Sequence, residues 1–370
     1  MNSSRRRWLK SSAFCASAFA FGRLGARQAS ALEAPDPLGV RVPPNFRARL
    51  LARSGAPVTP LDFSWHAYPD GGATFPARNG WVYVSNAEVP DQRGGASALR
   101  FDADGNIVDA YRILAGTSRN CAGGATPWNT WLSCEEVAEG IVFECNPYRA
   151  GQGVPRAALG RFSHEAAAID PQTGAVYLTE DDVDGRFYRF RPRSKGRLDA
   201  GALEAAHVAA DGAVSWTAVA PEEPYRGEDS TPFARGEGAW YADHRVYFTT
   251  TEDHRVWMYD VSNERLRVIY DAAAREGSAL LRDPDNITAH PVTGALFVAE
   301  DWDDMQVVML AWRGDRWHTV PIVQFIGHDG SEVTGPAFSA DGTRLYVSSQ
   351  RGRDGEHGMT FEIAGPFSSL

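Results

Sequence analysis

Short apolar runs recur along this chain. Each follows a turn residue, is rich in β-branched and aromatic side chains, and ends at a polar or acidic residue. The six copies are Gly80–Glu88, Asn129–Glu136, Gly174–Asp182, Arg245–Asp253, Gly294–Asp301 and Gly342–Gln350. One aromatic residue taken from each copy gives successive spacings of 48, 46, 70, 50 and 49 residues. Because periods of roughly 40–50 residues with several strands per unit are typical of propeller blades, the pattern predicts an all-β fold, a six-bladed β-propeller.

A second element, rich in glycine and other small residues, lies just upstream of each apolar run. Its copies are Asp70–Thr74, Cys121–Pro127, Ser163–Ala167, Arg235–Trp240, Asp285–Thr288 and Ser331–Pro336. Small residues suit the innermost strand of a blade, where six strands converge and large side chains would collide. Glycine-containing turns such as Asp170–Gly174 and Ser339–Gly342 join the two elements, as expected of hairpins.

Two segments fall outside the repeat. The long interval between the third and fourth copies predicts an insertion at about residues 191–230, and its Pro192–Gly196 and Pro221–Pro224 stretches favour a loop. At the ends of the chain, Ala34–Ser64 is a candidate partner for Thr360–Ile363. Pairing of these two segments would complete the last blade and close the ring.

The first 31 residues have the composition of an export signal. Ser4–Lys10 resembles the twin-arginine signature, and Ser11–Leu24 is a moderately apolar stretch too short to span a membrane stably. Ala29–Ala31 offers small residues for cleavage. The predicted division is a twin-arginine signal peptide at 1–31 and a single propeller domain at 32–370, periplasmic or secreted, with a membrane-tethered N-terminus as the alternative.

The net charge of −10 is unevenly distributed. Residues 1–31 carry six basic residues and no acidic one, so the remainder holds 31 basic and 47 acidic residues. Such a domain lacks the basic patches that bind nucleic-acid backbones, and no nucleic-acid partner is expected. It is better suited to binding cations, although an acidic surface can also serve solubility alone.

The cysteine count is informative because Cys15 lies in the predicted signal. Cys121, Cys134 and Cys145 remain in the mature chain. An odd number of cysteines in an oxidising compartment leaves at least one without an intrachain partner. A disulfide between Cys134 and Cys145 is possible from the sequence, and Cys121 is the cysteine expected to stay free.

Acidic residues recur near the ends of the predicted inner strands. In a propeller these positions face one axial channel, so an acid repeated in five or six blades places many carboxylates in a small volume. Like charges at about 4–6 Å raise one another's pKa and destabilise the fold unless cations neutralise them. Oxygen ligands favour calcium or magnesium, whereas a thiolate favours a transition metal. We therefore predict an axial metal site; a solvated turn residue is the alternative for any single acid.

Several motifs resemble, in order, those of the PhoX-type alkaline phosphatase family. They are Arg119–Glu136, Gly160–Ala167, Tyr177–Asp182, Gly236–Trp240, Asp285–Ile287 and Thr334–Ser339, within a resemblance that spans roughly residues 60–365. The resemblance implies a six-bladed propeller with an iron–calcium cluster, Fe(3+) and Ca(2+), on its axis. It also implies hydrolysis of phosphate monoesters, export by the twin-arginine route and a role in phosphate acquisition.

The resemblance implies roles for individual residues. Cys121 would be a thiolate ligand to iron, and Glu165 and Glu237 would be iron-binding or bridging carboxylates. Arg235 would be the catalytic residue that holds the phosphate oxygens; a salt bridge to a ligand carboxylate is its alternative role. The remaining iron and calcium ligands would come from Glu88, Glu135, Glu136, Glu180, Asp181, Asp285, Glu300 and Glu332.

The chain departs from the family pattern in its length, which is short, and at Ala87, where the family often has a histidine. An inactive metal-bound propeller that serves as a binding module and a calcium-dependent lactonase are the alternative functions. A lone calcium site would have no use for the Cys121 thiolate. His164 is expected to pack rather than to bind metal. The expected partners are a small-molecule phosphate ester and the export machinery, and we expect a monomer without a stable membrane span.

Overall fold

The computed structural model describes residues 32–275, 279–302 and 304–370, and the predicted signal peptide lies outside them. Within these ranges the chain forms 26 strands and three short 3-10 helices, Ala157–Leu159, Ala273–Arg275 and Phe367–Ser369. The strands form six sheets of four or five strands. This arrangement confirms the predicted six-bladed β-propeller. None of the described helices is long and apolar enough to cross a membrane.

The first three blades follow one another along the chain, each starting with its innermost strand. Blade 1 consists of β3 (Pro69–Ala77), β4 (Gly80–Ala87), β5 (Gly94–Asp102) and β6 (Ile107–Thr117). Blade 2 consists of β7 (Asn120–Ala125), β8 (Trp131–Glu135), β9 (Val142–Cys145) and β10 (Val154–Pro155). Blade 3 consists of β11 (His164–Ile169), β12 (Val176–Glu180), β13 (Phe187–Ser194), β14 (Arg197–Val208) and β15 (Val214–Val219).

The last three blades have the same antiparallel order, and two of them take an outer strand from the start of the domain. Blade 4 consists of β16 (Gly236–Ala242), β17 (Arg245–Thr250), β18 (Arg255–Asp260) and β19 (Arg265–Asp271). Blade 5 consists of β20 (Pro284–Ala289), β21 (Leu296–Glu300), β22 (Gln306–Arg313), β23 (Arg316–Phe325) and β1 (Val40–Arg41). Blade 6 consists of β24 (Val333–Phe338), β25 (Arg344–Ser349), β26 (Met359–Ala364) and β2 (Arg47–Arg53).

Closure of the ring joins the two ends of the domain. Strand β2 pairs antiparallel with β26, from Arg47 opposite Ala364 to Arg53 opposite Met359. The N-terminal segment therefore supplies the outermost strand of the last blade, as the pairing hypothesis predicts. Backbone hydrogen bonds thus fix β2 in the last blade, and the chain continues from β2 into the first blade.

Small residues line the axis, as the second sequence element predicts. The six innermost strands contact one another around the axis in chain order. A Cβ atom added to Gly124 would lie 1.7 Å from the carbonyl oxygen of Ala167 in the next blade, and one added to Gly238 would lie 2.6 Å from the backbone nitrogen of Ile287. Only glycine allows these neighbouring backbones to approach so closely.

The repeated aromatic residues pack neighbouring blades against one another. Tyr83 in blade 1 stacks on Tyr346 in blade 6 with ring centroids 4.6 Å apart. Phe297 in blade 5 packs edge-on against Phe338 in blade 6 with centroids 4.8 Å apart. All four rings are buried, and each buried aromatic side chain contributes about 1.5–3 kcal/mol of hydrophobic stabilisation. The aromatic spacing along the sequence therefore reflects the packing between blades.

The long interval of the repeat is only partly the predicted loop. Residues 220–231, which include the Pro221–Pro224 stretch, contain no strand, whereas most of 191–219 lies in strands. Strands β14 and β15 supply 18 of the 40 residues at 191–230 and extend blade 3 outward. Leu198, Leu203 and Val214 are buried, so the segment has a core-facing side of its own. In the first proline-containing stretch, Pro192–Gly196, only Lys195 and Gly196 form a turn.

The possible disulfide between Cys134 and Cys145 is not formed, and all three described cysteines are free and buried. In the ladder between β8 and β9, Cys134 pairs with Val142 and Cys145 pairs with Trp131. Trp131 and Cys134 are three positions apart on β8, so their side chains, and with them the two thiols, lie on opposite faces of the blade. Each thiol packs into a different hydrophobic cluster.

Replacing Phe46 with alanine should destabilise ring closure. Phe46 precedes β2 and packs edge-on against Phe367, with ring centroids 4.8 Å apart. Loss of a buried aromatic ring costs about 3–5 kcal/mol, so the thermal melting midpoint of Phe46→Ala should fall by several degrees. Val183→Ala removes a side chain that is 73% exposed and should melt like the wild type. Equal midpoints for both variants would show that this segment does not secure the ring.

Candidate metal centre

Every innermost strand contains a β-bulge close to one end of the channel. In blade 3, His164 pairs with Glu180 and Ala167 pairs with Leu178, so β11 has one extra residue at this point. A bulge bends the strand and redirects its side chains. The residues at or beside the six bulges form what we call the inner ring. They are Asp70, Cys121, Glu165, Glu237, Asp285 and Thr334.

The second strand of each blade ends beside the inner ring. The residues that follow or end these strands form what we call the outer ring. They are Glu88, Glu136, Asp181, Thr251, Asp301 and Gln350. Each donates its backbone N–H to the carbonyl oxygen of the residue two positions before the inner-ring residue, at 2.9–3.1 Å. This hydrogen bond, repeated in six blades, brings the two rings together at one end of the channel.

The rings surround a cavity of about 220 Å³. Eight of the predicted ligands line it together with the predicted catalytic arginine. They are Cys121, Glu88, Glu136, Glu165, Asp181, Glu237, Asp285, Glu332 and Arg235. Asp301, Arg119, Arg351 and Trp302 complete the lining.

Ligand atoms come close enough to share a cation at two places in this cavity. One atom from each of Cys121, Glu136 and Glu165 lies within 4.8 Å of the other two, and the same holds for Glu165, Glu237 and Asp285. The first group offers sulfur and oxygen, whereas the second offers oxygen alone. Glu165 belongs to both groups.

Glu165 occupies an environment that does not suit a carboxylate without a cation. It is fully buried, and neither carboxylate oxygen has a hydrogen-bond partner among the described residues. Burial and the neighbouring Glu237 raise its pKa well above the usual range. Burial and the nearby acid Asp70 likewise raise the pKa of the Cys121 thiol. A bound cation would reverse both shifts because it stabilises the ionised ligands, so these residues fit a metal centre.

Polar side chains of the second strands hold the inner ring across blade boundaries. Asn86 Nδ2 in blade 1 donates to the carbonyl oxygen of Cys121 in blade 2 at 2.9 Å, and Asn86 Oδ1 accepts from Trp131 Nε1 at 2.9 Å. Thr249 Oγ1 in blade 4 donates to the carbonyl oxygen of Asp285 in blade 5 at 2.7 Å. Because a bulge interrupts the strand ladder, the neighbouring blade supplies the missing partner.

Arg235 forms a salt bridge with a predicted ligand carboxylate, Asp181, which is the alternative role expected from the sequence. Its Nε lies 2.9 Å from Asp181 Oδ1 and its Nη2 lies 3.1 Å from Asp181 Oδ2. The same Nη2 lies 3.2 Å from Glu237 Oε1. These contacts use Nε and Nη2, and the side chain is partly exposed in the cavity wall. The salt bridge therefore positions the guanidinium without occupying all of its donors.

Two further arginines line the cavity. Arg119 in blade 2 is half exposed, and its Nη1 lies 3.9 Å from Glu88 Oε1. Arg351 in blade 6 pairs with Glu332. Arg119 and Arg235 occupy the same position relative to the inner ring, and both have a left-handed backbone, with φ of 45° and 54°. Tyr68 and Asp283, at the equivalent positions of blades 1 and 5, have the same conformation, so it belongs to the repeated strand geometry.

Glu135, Glu180 and Glu300 lie outside the cavity, contrary to their prediction as ligands. Each immediately precedes an outer-ring acid, and successive side chains near a strand end point to opposite sides. Their carboxylates hold nearby backbone and side chains instead. Glu135 accepts from the Ser118 N–H at 2.9 Å, Glu180 pairs with Arg226 at 2.7 Å, and Glu300 accepts from the Arg282 N–H at 2.9 Å.

Asp70 and Asp301 belong to the rings although neither is among the predicted ligands. Burial and the neighbouring Glu332 raise the pKa of Asp70 well above its usual value. The same two causes raise the pKa of Asp301 to about 8. Register would have revealed both residues. Asp70 stands at the position of Cys121, and Asp301 follows Glu300 as Asp181 follows Glu180.

His164 packs against the site, as expected from the sequence. Its side chain is fully buried, Nε2 lies 3.0 Å from the carbonyl oxygen of Gly160, and the ring lies 3.7 Å from that of Phe162 between centroids. Burial lowers its pKa to about 4. The imidazole is therefore neutral at physiological pH and supports the strand that carries Glu165.

The described residues thus form a closed six-bladed propeller with buried acids, a thiol and arginines at one end of its channel. The family model described as alkaline phosphatase PhoX matches residues 78–352. The chain belongs to this family. It is therefore a metal-dependent phosphatase, which confirms the enzyme class expected from the sequence motifs.

Solved structures share the fold at low sequence identity. Pseudomonas fluorescens PhoX in complex with vanadate has a TM-score of 0.71 and 16% identity, with 91% of this chain and 97% of that chain covered. A gluconolactonase from Xanthomonas campestris has a TM-score of 0.53 and 14% identity, with 92% and 99% covered. A Bacteroides thetaiotaomicron protein of unknown function has a TM-score of 0.54 and 10% identity, with 86% and 76% covered. No curated protein matches the sequence.

The metal-free protein should lose stability as the pH rises from about 5 to about 8. Raised pKa values, about 8 for Asp301, mean that the folded chain keeps protons that the unfolded chain, with ordinary carboxyl pKa values near 4, has released. This contribution to stability is fully present below about pH 4 and is lost toward the folded pKa values. Each retained proton contributes about 1.4 kcal/mol per pH unit. Thermal unfolding in EDTA across this range measures the effect.

Excess metal should flatten this pH dependence because a cation takes the place of the retained protons. The comparison needs the same buffers with and without the chelator. A chelated protein whose melting midpoint is constant or increases over this pH range would contradict the placement of uncompensated acids at the axis.

Proposed function

We propose that this phosphatase is exported to the periplasm and hydrolyses phosphate monoesters at an iron–calcium centre on the propeller axis. One observation carries the proposal. The buried thiol of Cys121, the carboxylate of Glu165, which lacks a hydrogen-bond partner among the described residues, and Arg235 line the same cavity. The Pseudomonas fluorescens PhoX structure contains vanadate, a transition state analogue. That complex supports phosphoryl chemistry in the shared fold.

The donor chemistry supports two kinds of metal. Cys121, Glu136 and Glu165 combine a thiolate with carboxylates, a set that favours iron over calcium. Glu165, Glu237 and Asp285 offer only oxygen, which suits calcium. Glu165 belongs to both groups and is the candidate bridging carboxylate. Further oxygen ligands would come from Asp70, Glu88, Asp181, Asp301 and Glu332.

Bound metals would supply Lewis-acid stabilisation of the phosphoryl oxygens and an activated oxygen nucleophile. The protein's own contribution is to bind and orient the phosphoryl group. Arg235 is held by Asp181 and Glu237, and its Nη1 is free of those contacts. Arg119 and Arg351 add donors from two other blades. Guanidinium groups match phosphate geometry, so negative charge that develops on the phosphoryl oxygens is stabilised from three directions.

Export is supported by the N-terminal sequence and by the family. Ser4–Lys10 resembles a twin-arginine signature, although it lies outside the described residues. Export is a property of the PhoX family. The twin-arginine route carries folded proteins, which suits a chain whose metal ligands come from several blades and meet only after folding.

Protein purified from iron-replete cells should contain both iron and calcium, measured by elemental analysis. Glu136→Gln should reduce the metal content because it removes a charged ligand from the group around Cys121. Glu135→Gln is the matched control, since its side chain is the neighbouring acid but bonds to the Ser118 backbone. Absence of both metals from the wild type would refute the centre, and equal losses in the two variants would refute the assignment of Glu136.

Cys121→Ala and Arg235→Ala should each lower kcat/KM for a phosphomonoester by about a hundredfold or more, the usual effect of losing one group that stabilises the transition state. Cys134→Ala, a buried thiol in the blade core, and Arg191→Ala, an outer arginine paired with Glu204, are the matched controls and should retain activity. Full activity of Cys121→Ala would reject its role. Metal content without any turnover in the wild type would favour an inactive binding module.

A further inference from the structure

One aromatic side chain stands among the charged groups that line the axial cavity within the described residues. Trp302 follows the outer-ring residue Asp301, and 52% of its surface is exposed. Binding pockets use aromatic residues to contact ligands and to fix their orientation. The indole in the cavity wall is therefore placed where it can contact a ligand that enters the cavity.

The fold places Trp302 at a defined position on the rim of the cavity. In each blade one residue comes directly after the outer-ring residue in the sequence. These six residues are Val89, Val137, Asp182, Glu252, Trp302 and Arg351. Only the last two of these line the cavity. They come from neighbouring blades, and the Arg351 guanidinium carbon lies 5.9 Å from the Trp302 ring centroid. The rim thus carries an aromatic face and a cation side by side.

The backbone at Trp302 is also unusual. Its φ of 75° lies in the left-handed region, which is uncommon for a bulky residue and costs on the order of 1 kcal/mol or more. Glycine or asparagine would adopt this conformation at lower cost. A tryptophan in this unfavourable conformation indicates that the indole side chain has a role at the rim.

We propose that Trp302 is a specificity-determining residue whose indole stacks against the leaving group of the substrate, so that the enzyme prefers phosphate monoesters of flat, unsaturated alcohols. This inference rests on the proposed function. The charged interior of the cavity accommodates the phosphoryl group and its metals, which directs the leaving group toward the rim. There the exposed indole offers a flat apolar surface, and Arg351, itself paired with Glu332, holds the phosphoryl side.

Inhibition by phosphonates tests this preference without the influence of leaving-group reactivity, because phosphonates are not hydrolysed. Phenylphosphonate should bind the metal-loaded wild type about threefold to tenfold more tightly than n-butylphosphonate, the range expected for an aromatic stacking contact. Trp302→Ala should remove this difference by weakening phenylphosphonate alone. Trp302→Phe should retain most of it, because a flat ring remains. Trp312→Ala, a 57% exposed tryptophan on strand β22, is the control and should behave like the wild type.

The outcomes separate this inference from the function on which it rests. Inhibition by both phosphonates with equal constants in the wild type, or an equal loss for both in Trp302→Ala, would overturn the stacking role while leaving the phosphatase intact. A protein that hydrolyses no phosphomonoester and binds neither phosphonate would overturn both proposals. Matched melting midpoints of the variants establish that each has folded.

Discussion

Repulsion among buried acids at the propeller axis is the interaction on which the rest of this structure depends. Asp70, Glu165, Glu237 and Asp285 are buried together, and burial with repulsion from neighbouring acids raises the pKa of each. A single sheet would splay such groups apart, whereas six blades held by stacked aromatic residues and closed through β2 keep them together. Stability of the fold and occupancy of the centre are therefore linked, because a ligand that binds only the folded chain stabilises it.

Two blades moderate this repulsion with neutral side chains. Blade 4 has Thr251 in its outer ring, and the hydroxyl donates to Glu237 Oε1. Blade 6 has Gln350 there, and its amide donates to Asp70 and to Glu88. The acids are therefore concentrated in the other blades, and the centre is asymmetric within a nearly repetitive fold. This asymmetry is consistent with two kinds of cation site, one with sulfur and one with oxygen only.

The two ends of the channel differ in chemistry. Beyond the rings, the opposite end is lined mainly by glycine, alanine and other apolar residues, including Gly123, Ala167 and Ile287. Because the cavity lined by the arginines, acids and thiol lies at one end, the proposed reaction would take place there. The small residues at the other end serve the close approach of the inner strands, which in turn brings the bulges near enough to share ligands.

The amino-acid sequence alone determined the fold class, the number of blades, the pairing of the chain ends and most residues of the cavity, because these follow from a repeat and from motifs that are local in the chain. The tertiary structure decided which acid of each strand end faces the axis. Glu135, Glu180 and Glu300 each directly precede an acid that lines the cavity. A shift of one residue along a strand moves a side chain to the opposite face. The tertiary structure also decided that Cys134 and Cys145 lie on opposite faces and that β14 and β15 replace the first part of the expected loop. Register and bulges arise from the pairing between strands, and a local sequence pattern does not predict that pairing.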